Sequence, residues 1–131
     1  MAKSTLEIGM TYKRKDIYKL FKVPIEQQNG NWNTGYNRFH DDWFIFANIN
    51  TSGRTGHDYK NRLLGNKFEW FGKNGSKLNH SSIQSLINPV GKIYILIRRD
   101  NKNPYFTYIG NGEVKEVYDE SPVRLIWNIL L

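Results

Sequence analysis

The side chains best suited to chemistry gather in Thr51-Ser-Gly-Arg-Thr-Gly-His-Asp-Tyr59, where two glycines space an arginine, a histidine, an aspartate and a tyrosine. Gly53 and Gly56 permit positive φ and close backbone approach, which suits a loop that presents groups to a ligand. The same residues also suit a plain polar connection, with Asp58 tied to Arg54 or His57 to hold the loop. Hydrolytic chemistry finds little support. His40, His57 and His80 lie far apart, with no His-x-His or His-Glu-x-x-His spacing for a metal. His57 beside Asp58 could serve a one-metal nuclease centre, but no further residues of such a centre accompany it. Glu69-Trp-Phe-Gly-Lys73 has the wrong spacing for the Glu-x-Lys core of many nucleases. Ser52, His57 and Asp58 would form a triad only with a nucleophile elbow, which is absent. The expectation is no catalytic residue, no metal and no cofactor.

A second polar loop, Gln27-Gln-Asn-Gly-Asn-Trp-Asn-Thr-Gly-Tyr36, carries two large rings among turn residues. Trp32 and Tyr36 must pack on something, either the outside of the core or a ligand. Nineteen Lys and Arg against twelve Asp and Glu leave a formal charge of +7, which favours a polyanionic partner. Rings make up 15% of the chain, and rings interleaved with basic residues suit phosphate contact plus base stacking. The lack of cysteine excludes disulfides and suits a reducing cytoplasm. No apolar run approaches the roughly 18 residues that span a bilayer, and the first residues lack the apolar stretch of a signal peptide. A soluble cytoplasmic protein with a nucleic-acid partner and no membrane association is expected.

The elements that must position these loops are mostly strands. Residues 1–10 read as a loose lead-in to a single domain spanning 1–131. Thr11 can cap a helix running to about Lys22, with Ile17, Leu20 and Phe21 at helical spacing and Pro24 beyond. Basic charge crowds its start at Lys13, Arg14 and Lys15. Trp43 to Ile49 and Phe68 to Phe71 read as strands flanking the polar loop. Lys77 to Asn88 offers a helix capped by Asn79 or Ser81, with Ile83, Leu86 and Ile87 on its apolar face. Lys92 to Arg98 and Tyr105 to Gly110 form a hairpin about Asp100–Pro104, followed by strands at Val114–Tyr118 and Val123–Ile129. The fold class is α+β: a curved, mostly antiparallel sheet or small β-barrel with two or three flanking helices.

Two resemblances bear on function. Gly91-Lys-Ile-Tyr94 with Tyr108-Ile-Gly110 resembles the paired signature of GIY-YIG nucleases, though a lysine interrupts the first triplet. Those nucleases place an arginine and a metal-binding glutamate on helices after the second triplet, whereas here Glu113 and Val114 lead into another strand. An aromatic hairpin explains both triplets without chemistry.

The second covers most of the chain from Tyr12 onward. Gly30-Asn-Trp-Asn-Thr-Gly-Tyr36, Phe44-Ile-Phe-Ala-Asn48, Gly53-Arg-Thr-Gly-His-Asp-Tyr59, Phe68-Glu-Trp-Phe-Gly-Lys73, Phe106-Thr-Tyr-Ile-Gly110 and Ser121-Pro-Val-Arg-Leu-Ile-Trp127 together resemble a bacterial restriction-associated domain. That domain occurs at the C-terminus of helicase–nuclease enzymes restricting modified DNA, and beside HNH nucleases. The resemblance implies a fold like the SRA and PUA group, whose members flip a modified cytosine from double-stranded DNA into an aromatic cage. It also implies a fused or associated nuclease or helicase as partner.

A flipped-base pocket needs flat walls, groups that read a base edge, and positive charge for the backbone. Trp32, Tyr36, Tyr59 and Trp70 are the stacking candidates. Asp58 suits the exocyclic amine of cytosine, with Asn48 or Asn33 on the remaining edge and His57 at either an edge or a phosphate. Arg54, Lys60, Arg62 and Lys73 are the phosphate candidates. For each residue a structural role stands beside this one, such as burial of Trp70 on its strand. The expected function is readout of 5-methyl- or 5-hydroxymethylcytosine in restriction or defence. The rivals are a small metal-dependent nuclease using His57 and Asp58, a barrel reading unmodified DNA or RNA, and a protein-interaction domain with incidental charge.

Overall fold

The computed structural model describes residues 6–28, 35–49, 51–52, 58–59, 61–72, 75–100 and 102–130, with residues 51–52 and 58–59 described by their backbone alone. In chain order the elements are β1 (Thr11–Tyr12), α1 (Arg14–Leu20), a 3-10 turn (Ile25–Gln27), β2 (Tyr36–Phe39), β3 (Asp42–Asn48), β4 (Thr51–Ser52), β5 (Asp58–Tyr59), β6 (Arg62–Leu64), β7 (Lys67–Phe71), α2 (Ser81–Ile87), β8 (Ile93–Arg98), β9 (Phe106–Tyr118) and β10 (Arg124–Leu130). An eight-stranded sheet runs β2-β3-β8-β9-β10-β7-β6, with β1 added to β9. Among the described residues only β3 and β8 pair in parallel; the other pairs are antiparallel. β4 and β5 form a separate two-stranded ribbon.

The sheet is strongly curved but open. β2 and β6 end the strand order without pairing to one another, so the barrel alternative is not realised. Its curl is visible in side chains. Tyr36 on β2 and Trp70 on β7 lie near opposite ends of the order, yet their rings meet at 5.1 Å. β9 makes this possible by pairing with β8 along its first half and β10 along its second, with a register shift against each partner. Such shifts increase local bend and twist. Gly110 sits in the bend at φ +133°, where an added Cβ would lie 2.8 Å from Ile129 Cγ2, so only glycine fits.

Both faces of the central strands are buried. Trp43, Ile45 and Ala47 of β3 and Ile93, Ile95 and Ile97 of β8 join Trp70, Trp127, Leu125 and the α2 residues Ile83 and Leu86 inside the curl. The alternating residues, Phe44, Phe46, Tyr94 and Leu96, pack with Phe106, Tyr108 and the α1 residues Ile17 and Tyr18 outside it. This explains why the Trp43–Ala47 run is apolar at every position rather than alternating.

Several boundaries differ from the sequence reading. Leu6 is buried and the Gly9 N–H donates to the Tyr108 carbonyl at 2.8 Å, so the packed chain begins inside the supposed lead-in. Thr11 does not cap α1. It pairs with Thr107 in β1, and Lys13 takes the N-cap position, its N–H bonded to Asp16 Oδ2 at 2.8 Å. His80 holds the N-cap position of α2, not Asn79 or Ser81. Val114–Tyr118 continues β9 instead of forming a strand of its own. Among the described residues no helix is long and apolar enough to cross a membrane.

Candidate functional site

Strand direction brings several segments to one end of the sheet. β3 and β8 run in parallel and finish together at Asn48 and Arg98. β2 enters at that end, since Phe46 N–H donates to Gly35 O, and β9 departs from it with Thr107 opposite Ile97. β1 lies against the start of β9, which delivers Lys13 and Arg14 to the same edge. The described ends of both polar loops therefore meet here. Asn61, only 3% exposed, closes the base of the second loop. Its Nδ2 donates to the Asn48 carbonyl at 3.0 Å, and its Oδ1 accepts from the Phe71 N–H at 2.8 Å.

Arg98 is fixed at this edge by three contacts. Its Nε donates to Asn48 Oδ1 and its Nη1 to the Asn103 carbonyl, each at 2.7 Å, and its guanidinium lies 4.4 Å from the centre of the Phe106 ring. Arg14 reaches the same ring from α1, 5.0 Å from Phe106 and 4.9 Å from Phe46. Its Nε is buried and, among the described residues, has no hydrogen-bond partner. Burial and then the nearby charge of Arg98 lower the pKa of Arg14. Burial also lowers that of Arg98, against an opposing effect from Asp100. Among the described residues neither arginine has a carboxylate within ion-pair distance. Two cations thus lie within 5.0 Å of the centre of one ring, and Asp100 acts on Arg98 only from beyond ion-pair distance.

Beside them, α1 carries a basic groove of about 560 Å³ lined by Lys13, Lys15, Lys19 and Lys22 together with Asp16, Tyr18, Val23 and Gln28. Asp16 is the single acid in that lining, and its Oδ2 already accepts from Lys13 N–H. Lys13 Nζ also sits 5.4 Å from the centre of the Tyr105 ring, a residue 43% exposed. Charge-assisted contacts to an anion are what this surface can make.

The expected site residues divide into three groups. Asn48 stands at the edge, but its side chain is engaged by Arg98. Trp70 and Tyr36 are corrections: they are 2% and 6% exposed, in T-shaped contact with each other, with Trp127 next to Trp70. Both are core, held there by strand alternation, and neither ring offers a face to a base. Arg62, on β6, is tied to the sheet while its side chain stays 56% exposed. Its Nε and Nη2 lie 2.8 Å from Glu69 Oε1, a carboxylate it shares with Arg124. Trp32, Asn33, Arg54, His57, Lys60 and Lys73 lie outside the described residues, as do the side chains of Asp58 and Tyr59, whose backbone forms β5. The sequence reading missed the pairing of Arg14 with Arg98. Its signal was available: Arg14 precedes Ile17 and Tyr18 by three and four residues, on the face that packs.

The triplets around Tyr94 and Tyr108 belong to the core. Their rings lie 6.1 Å apart, and the Tyr108 hydroxyl donates to Asn111 Oδ1 at 2.5 Å. Burial, then Tyr94 and Tyr12, push the Tyr108 pKa up to about 12, which keeps the phenol neutral. Comparison with curated proteins gives no match. The family model described as Domain of unknown function (DUF3427) matches residues 6–125, and this chain, matched over nearly its whole length, belongs to that family.

Proposed function

We propose that the chain is a DNA-binding specificity module that grips a duplex by its phosphates and reads a modified cytosine, 5-methyl or 5-hydroxymethyl, for a restriction or defence system. The observation that carries this reading is the lysine groove on α1 beside two arginines that, among the described residues, have no carboxylate at ion-pair distance. Rows of cations with few acids suit a phosphate backbone. With Tyr36 and Trp70 in the core, base capture falls to Trp32 and Tyr59, with His57 and Asp58 at the base edge. The curved open sheet is read as a relative of the SRA and PUA group, working in the cytoplasm. Cleavage belongs to a fused or partner nuclease or helicase, and the module itself acts without metal or cofactor.

The test is equilibrium binding to one duplex sequence carrying cytosine, 5-methylcytosine or 5-hydroxymethylcytosine, at two salt concentrations. Affinity should fall steeply with salt and favour a modified duplex by about tenfold or more, the range a methyl-sized contact supplies. Equal affinity for all three duplexes would remove modification readout. Weak binding indifferent to salt would remove the DNA reading itself. Cleavage in magnesium or manganese that disappears in His57→Ala would favour the metal-dependent nuclease.

A further inference from the structure

We propose that Arg14 and Arg98 form a discrete site for a single phosphate group, held by both guanidiniums where α1 meets the ends of β8 and β9. The inference deepens the DNA-binding reading and rests on it for the source of the phosphate, a backbone phosphodiester. The chemistry itself is that of any phosphate oxyanion.

Arg98 is already oriented: Asn48 and the Asn103 carbonyl accept from its Nε and Nη1, and among the described residues Nη2 has no acceptor, which leaves it for a ligand. Arg14 lies against Phe46 and Phe106, and its buried Nε has no acceptor among the described residues. Two arginines within about 5 Å of the centre of one ring repel each other, and burial strengthens that repulsion. A dianion or monoanion between them would satisfy the donors and cancel the repulsion at once. The lysines of the α1 groove differ in kind. They are point charges on flexible stems, suited to a diffuse backbone field and not to one oriented anion. Stacking on Phe46 and Phe106 is the competing explanation, in which the arginines only cover the rings. It predicts no response to phosphate beyond that to salt.

The test compares thermal unfolding in inorganic phosphate with chloride at matched ionic strength, and follows phosphorus NMR line broadening on the intact chain. Wild-type protein should gain several degrees saturably in phosphate and broaden the phosphate signal. Arg14→Met should lose both effects, and Arg14→Lys, which keeps charge but not the planar fork, should bind phosphate about tenfold more weakly. A blunt-ended duplex without terminal phosphates should displace inorganic phosphate from wild type. Equal gains in wild type and Arg14→Met, or no line broadening with wild type, would overturn the site, and DNA affinity unchanged in Arg14→Met would then leave the DNA reading standing alone. Phosphate binding that the duplex cannot displace would support the anion site while severing it from DNA binding. Should Arg14→Met fail to fold, the wild-type NMR titration and Arg14→Lys still decide the matter.

Discussion

Trp70 sits 2% exposed with Phe68 fully buried two residues before it and Glu69 turned the other way between them. Strand alternation alone assigns Phe68 and Trp70 to one face, so the core role of Trp70 was legible once β7 was recognised. Tyr36 was harder, because it opens a four-residue edge strand bordered by turn residues and too short to announce itself. Replacing Trp70 by alanine should cost about 3–5 kcal/mol, read as a lower thermal midpoint, with DNA affinity per folded molecule unchanged. A stable Trp70→Ala protein that loses modified-base preference would return that ring to the site. Asn61 is the second informative residue. Asn61→Ala deprives the Asn48 carbonyl and the Phe71 N–H of their partners, an expected loss of about 1–3 kcal/mol, with faster hydrogen exchange at the Phe71 amide. Nothing in its sequence neighbourhood marks Asn61, since its two partners lie thirteen residues before it and ten after.

At the scale of elements, β6, β7 and β10 are cross-linked by one carboxylate. Glu69 on β7 accepts from Arg62 on β6 and from Arg124 on β10, whose Nη1 lies 2.9 Å away. Burial acts to raise the Glu69 pKa, but the hydrogen bonds from Arg62 and Arg124 outweigh it and leave the group below its ordinary value of 4.5. A carboxyl with a depressed folded pKa adds stability that is fully present above its unfolded pKa and is lost as pH falls through the folded one. Stability should therefore decline on acidification below about pH 4.5. Glu69→Gln should lower stability at neutral pH by about 1–2 kcal/mol, allowing for solvent screening of the half-exposed Arg62, and should flatten the acid limb of denaturant midpoint against pH. An acid limb as steep in Glu69→Gln as in wild type would assign it to other carboxyls. The β8–β9 hairpin and β10 were legible from their apolar runs and the turn between them. The continuity of β9 was not, because the glycines at 110 and 112 imitate a turn while marking the bend that rolls the sheet.

For the molecule as a whole, what matters is where the charge lies. The +7 surplus is legible from composition, but its placement depends on β1, a two-residue strand whose only signature is its partner on β9. That pairing sets α1 at the edge where β3 and β8 end, so Lys13, Lys15, Lys19 and Lys22 share one groove. Lys67 and Lys115 are exposed on strands away from it, on β7 and β9. If phosphates are gripped by this groove, each lysine engaged releases counterions and steepens the dependence of log affinity on log salt by about 0.9. The double variant Lys15→Gln, Lys19→Gln should then weaken duplex binding and reduce that slope by about 1.8, with modified-base preference retained. The double variant Lys67→Gln, Lys115→Gln removes the same net charge and should leave the slope close to that of wild type, because long-range attraction is screened over a Debye length of about 10 Å. Equal slopes for the two doubles would mean that the duplex responds to net charge alone, and α1 would then have no claim to be its contact surface.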